Sequence, residues 1–271
     1  AMAGNPLAQE LAAGQGVNIT WGGWALAAIV PGIVSLIAVP WVMFKLYPPE
    51  LRETPEAAAT AAAQLKALGG LTRNEWIMTG TIIGLLLLWT LGDPLLDMTA
   101  TTTAFIGLAV LLLVSVLTWE DVKKETQAWD TLIWFAALVM MASFLNTLGL
   151  IPWVSDRMST ATGGLNWVVA FAILTLVYYY SHYLFASNTA HISAMYAAFL
   201  ATAIATGAPP MFAALVFGFI SNLFATLTHY SSGPAPVLFG SGYVPLGNWW
   251  RNGFAMSVLL ILIWTTIGGL W

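Results

Sequence analysis

Ser187, Asn188 and Thr189 form a short run of hydrogen-bonding side chains inside a long apolar stretch, FASNTAHISAMYAAFLATAIA. The last formal charge before the run is Arg157, and the next after it is Arg251. Ser, Asn and Thr are favoured at helix N-termini. There the free N–H groups and the positive end of the helix dipole face outward, ready for a negative group. The chemistry on offer is capture of an anion by amide, hydroxyl and backbone donors, with no Lys or Arg buried. A tight polar loop at a membrane surface, between two ordinary spanning helices, would carry the same residues. Plain capping of the hairpin would also suit Asn188 and Thr189. Length leaves both readings open: at about 1.5 Å per residue, 167–186 could cross a core of about 30 Å, whereas 190–206 is marginal. The sharper reading is the tip of a re-entrant helical hairpin.

The elements around that run are apolar. The chain has 271 residues, 59% hydrophobic and 7% charged, with mean hydropathy +0.81. Soluble domains carry about 25% charged residues, so the fold class is an all-α polytopic membrane protein whose partner is the lipid bilayer. All 12 acidic residues lie at or before Asp156. No basic tract or aromatic–basic interleaving points to nucleic acid. The chain has no Cys, so neither a disulfide nor a thiolate metal site is available. The 3 His lie on distant segments, so no metal and no cofactor are expected. Asp130 and Asp156 read as helix-end residues rather than an intramembrane acid pair, and enzyme function is not expected.

In chain order, 1–16 reads as a helix interrupted at Gly4, Asn5 and Pro6. A span follows over 21–46, anchored by Trp21 and Trp24 at one end and by Lys45 and Tyr47 at the other, with Pro31 and Pro40 predicting kinks. Residues 48–73 form the one long polar loop, with a surface helix over 57–68 capped by Thr54 and Pro55. Spans over 76–91 and 96–117 are separated by a turn at Gly92, Asp93 and Pro94. Asp93 and Asp97 fall in that outer turn. Residues 120–127 read as an interfacial helix and 131–150 as a span with Asp130 as N-cap. A loop over 152–164 holds Asp156 and Arg157. The two hairpin limbs follow, then a span over 210–228 that breaks between His229 and Pro245, and a last span over 249–271.

Alternating sides along these spans places Lys45, Arg52, Lys66, Arg73, Lys123, Lys124 and Arg251 together, and only Arg157 opposite. The positive-inside rule makes the crowded side cytoplasmic, with the loops 47–74 and 119–128 inside and the C-terminus outside.

An internal repeat organises the chain. Gly4 aligns with Gly233, Leu7 with Pro236, Trp21 with Trp250 and Ala27 with Met256. Both copies read as a Gly/Pro break, a turn, paired tryptophans and a final span, and the intervening spans give them opposite orientation. Inverted repeats with broken helices at the midplane are the layout of secondary transporters. The domains expected are 1–46, the end of a first repeat; 47–74, a cytoplasmic connector; and 75–271, a complete second repeat. In the second repeat the hairpin lies at about 163–206, the broken helix at 210–245 and the final span at 249–271. The partner hairpin of the first repeat is expected upstream of Ala1.

The stretches FASNTAHISAMYAAFLATAIATGAPP, LTHYSSGPAPVLFGSGYVP and WWRNGF, with AMAGNPLA and YPPE, resemble the divalent anion:sodium symporter family. The likeness is to the C-terminal portion of members in its citrate or tartrate:succinate antiporter and 2-oxoglutarate/malate translocator branch. It implies exchange of di- or tricarboxylates by alternating access, a homodimer, and a bacterial inner membrane. It also implies a site built from Ser187, Asn188 and Thr189 at the tip, Gly4, Asn5 and Pro6 at the first break, and Ser232, Gly233 and Pro234 at the second. Sodium-coupled members tend to read Thr-Pro-Pro-Asn at the second break. Here Ser232, Gly233, Pro234 and Ala235 stand there and the Asn is absent, which argues against Na⁺ coupling. Na⁺ near Asn188 is expected only if the protein is a sodium-coupled symporter, the alternative reading.

His191, just past the tip, is a candidate for supplying charge or a proton, as is His229 at the second break. A neutral, hydrogen-bonded His between helices fits either position equally well. His182 reads as a structural hydrogen bond and Arg251 as an interfacial anchor. An anion channel and a non-transporting membrane subunit remain as other classes. No filter-like repeat supports the first, and the second leaves the polar breaks unexplained.

Overall fold

The structure, a computed structural model, describes residues 4–50, 53–96, 98–161 and 164–271. Among these the chain is entirely helix and turn, with no strand. Among the described residues, four helical runs are long and apolar enough to cross a membrane: Trp21–Leu46, Arg73–Gly92, Trp167–Leu184 and Leu246–Leu270. Leu26, Ile29, Ile33, Leu36 and Ile37 on the first of them are exposed. Water would not tolerate such a face, but lipid does. This is an integral membrane protein. The chain divides into two compact units.

The first unit comprises the described residues of Ala1–Ile19, Gly23–Leu46 and Asp130–Trp271. Helix α1 (Gly4–Ala13) buries Leu7, Ala8, Leu11 and Ala12. Gly4, Asn5 and Pro6, expected to interrupt a helix, instead lie within α1. Helix α2 (Trp21–Leu46) passes through Pro31 and Pro40 without a break in its helical run.

The second unit holds Thr20–Gly22 and Tyr47–Trp129. It contains α3 (Pro55–Leu68), α4 (Arg73–Leu96), α5 (Ala100–Leu113) and α6 (Trp119–Lys124). The turn expected at Gly92, Asp93 and Pro94 lies inside α4. Met98 N donates to Gly92 O at 3.1 Å, so the helix closes after this run rather than at it. Asp97 and Arg52 lie outside the described residues. Trp89 Nε1 donates to Ala100 O at 2.9 Å, tying α4 to α5. Thr118 and Asp121 form a capping box at the start of α6. The Thr118 hydroxyl and amide both donate to the Asp121 carboxylate and hold it below the usual carboxylate range.

Helix α7 (Thr126–Thr147) begins before Asp130, which is therefore interior and not an N-cap. The loop expected over 152–164 is largely a helix, α8 (Leu150–Ala161). Ile151 and Ser155 are buried, Val154 and Met158 half-buried, and Asp156 and Arg157 exposed. That spacing is an amphipathic stripe, and Pro152 sits in the first turn where it does no harm. Ile151 and Val154 pack with Ala197, Ala198 and Ala201.

The remaining elements of the first unit are α9 (Trp167–Tyr180), α10 (Asn188–His191), α11 (Ala197–Ala205), α12 (Pro210–Leu223), α13 (Pro234–Gly240), α14 (Leu246–Leu262) and α15 (Gly268–Leu270). Tyr178, Tyr196, Phe199, Phe217, Ile220 and Phe224 form the heart of a core that also takes in Leu7 and Leu11 of α1. Helix α14 approaches the end of α12 at Gly253. A Cβ there would lie 2.5 Å from Thr226 O and 2.7 Å from Leu227 O. Both obstacles are backbone, so neither can rotate away. Gly253→Ala is expected to destabilise the protein by about 1–3 kcal/mol, the usual cost of overpacking. Thermal unfolding in detergent checks it, and an unchanged midpoint would contradict this packing.

Candidate functional site

The hairpin is built from a helix that stops early and another that starts late. After α9, Ser181–Leu184 tightens into a 3₁₀ turn. Phe185 is extended, with φ −120° and ψ 134°. Ser187 is the N-cap, extended at φ −150° and ψ 132°. Its Oγ accepts from Ala190 N at 3.4 Å and contacts Thr189 Oγ1 at 2.9 Å. Asn188 and Thr189 are thus not part of the joint, as the sequence suggested. They are the first helical residues of a run that continues through a π turn at Ile192–Tyr196 into α11. The second break follows the same logic. A 3₁₀ turn at Phe224–Thr226 ends α12, and α13 restarts with Pro234 at its first position.

The two breaks meet. Gly4, Ser187, Asn188, Thr189, Ser232, Gly233 and Pro234 line one cleft of about 490 Å³, together with Ala186, Tyr230 and Pro236. Such a volume suits a small ligand. Among the described residues, no Asp, Glu, Lys, Arg or His lines it. Seven of the residues singled out in the sequence are brought together, from segments far apart in the chain.

Asn188 carries the feature that matters most. Its Nδ2 and Oδ1 are both buried, and neither has a hydrogen-bond partner. Leaving one buried polar atom unpartnered typically costs about 1–3 kcal/mol, so each such atom calls for an explanation. An amide that lines a cleft at a helix start and is otherwise unpaired is set up to meet a ligand.

Asn5 and Pro6 do not line the cleft. The Asn5 amide oxygen accepts from Asn222 Nδ2 at 2.6 Å, which braces α1 against α12, and Pro6 is exposed. His191 also lies off the cleft, fully buried. Its ring packs against Phe185, Phe224 and Tyr178, with centroids 4.5, 4.6 and 4.8 Å away. Its Nδ1 faces His182 Nδ1 at 3.1 Å, and its Nε2 faces Ser181 Oγ at 3.1 Å. His182 Nε2 lies 3.0 Å from Ser231 O, a carbonyl that can only accept. With neutral rings His182 donates to Ser231, so its Nδ1 accepts from His191. The Ser181 hydroxyl, which donates to Tyr178 O at 2.9 Å, lies against His191 Nε2. His182 is therefore the structural hydrogen bond expected of it, and His191 shares that role. His229, half-buried, accepts from Trp250 Nε1 at 3.3 Å and is not on the cleft either.

Tyr230 is the lining residue that sequence reasoning passed over. Its hydroxyl donates to Tyr183 O at 2.9 Å. Its position next to the Ser-Ser-Gly-Pro break was the available signal.

Comparison with known proteins matches residues 1–271 to the family described as the sodium:sulfate symporter transmembrane region. The chain belongs to this family. It is 58% identical to the "Putative malate transporter YflS" of Bacillus subtilis, covering 100% of this chain and 57% of that protein. It is 48% identical to the spinach chloroplast dicarboxylate transporter 1, covering 100% and 48%. It is 34% identical to the Escherichia coli citrate/succinate antiporter, covering 93% and 52%. The chain spans about half the length of these curated relatives. The resemblance carried by the hairpin tip, the second break and WWRNGF is thus a membership, and symporter-family members are transporters rather than enzymes.

In this symporter-family chain the Asn188 amide contributes no hydrogen bond to the fold. Asn188→Ala is therefore expected to leave the thermal midpoint of the ligand-free protein unchanged or higher. A drop of several degrees would show that the amide has a partner within the protein.

Proposed function

We propose that the full-length protein is a secondary carrier that exchanges di- or tricarboxylates of the succinate, malate, 2-oxoglutarate, tartrate and citrate class across a bacterial inner membrane. The observation that carries this is the unpaired Asn188 amide on the cleft. A carboxylate is a multiple acceptor, and Asn188 Nδ2 supplies donors aimed at it. The start of the helical run at Asn188 adds its dipole and its first N–H groups, which lack intrahelical partners. The hydroxyls of Ser187, Thr189 and Ser232 complete a neutral donor set. Relatives that bear the names of malate, dicarboxylate and citrate/succinate carriers support the substrate class.

Alternating access by inverted repeats is the mechanism that fits. Gly4 and Gly233 face the same cleft. Each belongs to a short helix, or the turn leading into one, that a brief linker joins to a long apolar helix. On this reading 167–205 is a re-entrant hairpin, the basic loops are cytoplasmic, and the protein works as a homodimer.

Exchange without Na⁺ is the preferred coupling. A hard cation needs oxygen ligands. Ala235, where sodium-coupled members tend to carry Asn, is a buried methyl group. The balancing of substrate charge falls to the helix start and the Asn188 amide, since His191 is committed to His182 and Ser181.

Two outcomes are expected with the full-length protein in liposomes. Labelled succinate uptake requires internal dicarboxylate and is indifferent to replacing Na⁺ by K⁺. Uptake into substrate-free vesicles driven by an inward Na⁺ gradient would overturn the exchanger reading. Asn188→Ala weakens substrate affinity by about 10- to 100-fold, the loss of one charge-assisted hydrogen bond. Unchanged affinity would remove Asn188 from the site.

A further inference from the structure

The two breaks that line the cleft are joined by a reciprocal pair of side chain–backbone hydrogen bonds. From the hairpin side, His182 Nε2 reaches Ser231 O at 3.0 Å. From the opposite side, Tyr230 Oη donates to Tyr183 O at 2.9 Å. Neighbouring residues on each segment therefore grip neighbouring carbonyls on the other: 182 holds 231, and 230 holds 183.

Both carbonyls belong to segments that have left regular helix, where lipid offers no substitute partner. The grip is also packed in place. The His182 ring stacks on Phe224 at 3.9 Å, and His191 fixes its other nitrogen. Tyr183 stacks on Trp250 at 5.5 Å, and Tyr230 meets the same indole at 6.2 Å. The Ser231 hydroxyl donates to Thr228 O at 2.7 Å, so the carbonyl that His182 holds sits in a closed turn. On one side of the clasp Phe185 and Ala186 lead directly to Ser187 and Asn188. On the other, Ser232, Gly233 and Pro234 follow at once.

We propose that His182 and Tyr230 form a clasp that makes the hairpin tip and the second break a single body, so that the cleft keeps its width as the protein changes conformation. They are positioning residues. Neither hydrogen bond is spent on substrate, yet together they set the distance between the Asn188 wall and the Gly233 wall. Building on the carboxylate site described above, this spacing selects substrate length. Loosening the clasp widens the range of dicarboxylates accepted.

The test uses the full-length protein and the variants Tyr230→Phe, His182→Phe, His182→Gln and the double Phe variant. Hydrogen–deuterium exchange is followed in peptides covering 181–187 and 228–234. Affinities are measured for succinate and for its one-carbon-longer homologue. Each single Phe variant is expected to raise exchange in both segments, including the one it does not touch. His182→Gln keeps an N–H donor and restores protection. Succinate affinity falls by about threefold to tenfold, one ordinary hydrogen bond. Discrimination against the longer acid narrows, and the double variant falls short of the product of the singles. Exchange that rises only in the mutated segment, with discrimination intact, overturns the clasp. If the unmodified protein binds neither acid, the dicarboxylate reading fails. The exchange pattern alone then decides the clasp, through the untouched segment.

Discussion

Inside a membrane, a helix cannot stop without consequence. Each N–H and C=O freed by a break needs a partner that lipid does not provide. This chain stops helices where the candidate cleft forms, after Tyr180 and after Leu223, and restarts them at Asn188 and Pro234. The rest of the first unit can be read as the means of making those stops tolerable. Tight 3₁₀ turns recover some backbone bonds, Ser187 caps the restart, and Pro234 occupies a position where no N–H is needed.

The bracing behind the breaks is aromatic and histidine-rich. His182 and His191 could be mistaken for titrating groups in a transport site, but their nitrogens are directed at each other, at Ser181 and at Ser231. With the nitrogens of both rings engaged, Asn188 is the cleft-lining residue whose buried amide stays unpartnered. Neutral donors also suit a carrier, because a fixed buried cation would hold a dianion too tightly for release.

Much of this was legible in the sequence. Charge-free polar runs stand out against an apolar background, so Ser187–Thr189 and Ser232–Pro234 were identifiable as candidates, and the fold brings them to one cleft. Local rules misled where a breaker residue sits in a helical turn that tolerates it. Pro152 lies in a first turn, and Gly92, Asp93 and Pro94 lie within the last turns of α4. Helix α8 hid behind its two charges, although Ile151, Val154, Ser155 and Met158 trace a helical stripe. The grip of Asn222 on Asn5 and of Tyr230 on Tyr183 spans long separations in the chain, and no local pattern announces it. His191 looked functional because it is ionisable and near the tip. Only the packing shows that helical rotation turns it away from the cleft and into the aromatic core.

The central claim is that a substrate carboxylate completes the hydrogen bonding of Asn188. Its most direct test is a density map of the full-length protein determined with and without succinate. The account predicts a carboxylate oxygen within hydrogen-bond distance of Asn188 Nδ2, between Ser187 and Gly233, and an amide left unpaired by protein when succinate is absent. A map in which protein groups satisfy the Asn188 amide in both states, with succinate bound elsewhere, would contradict it.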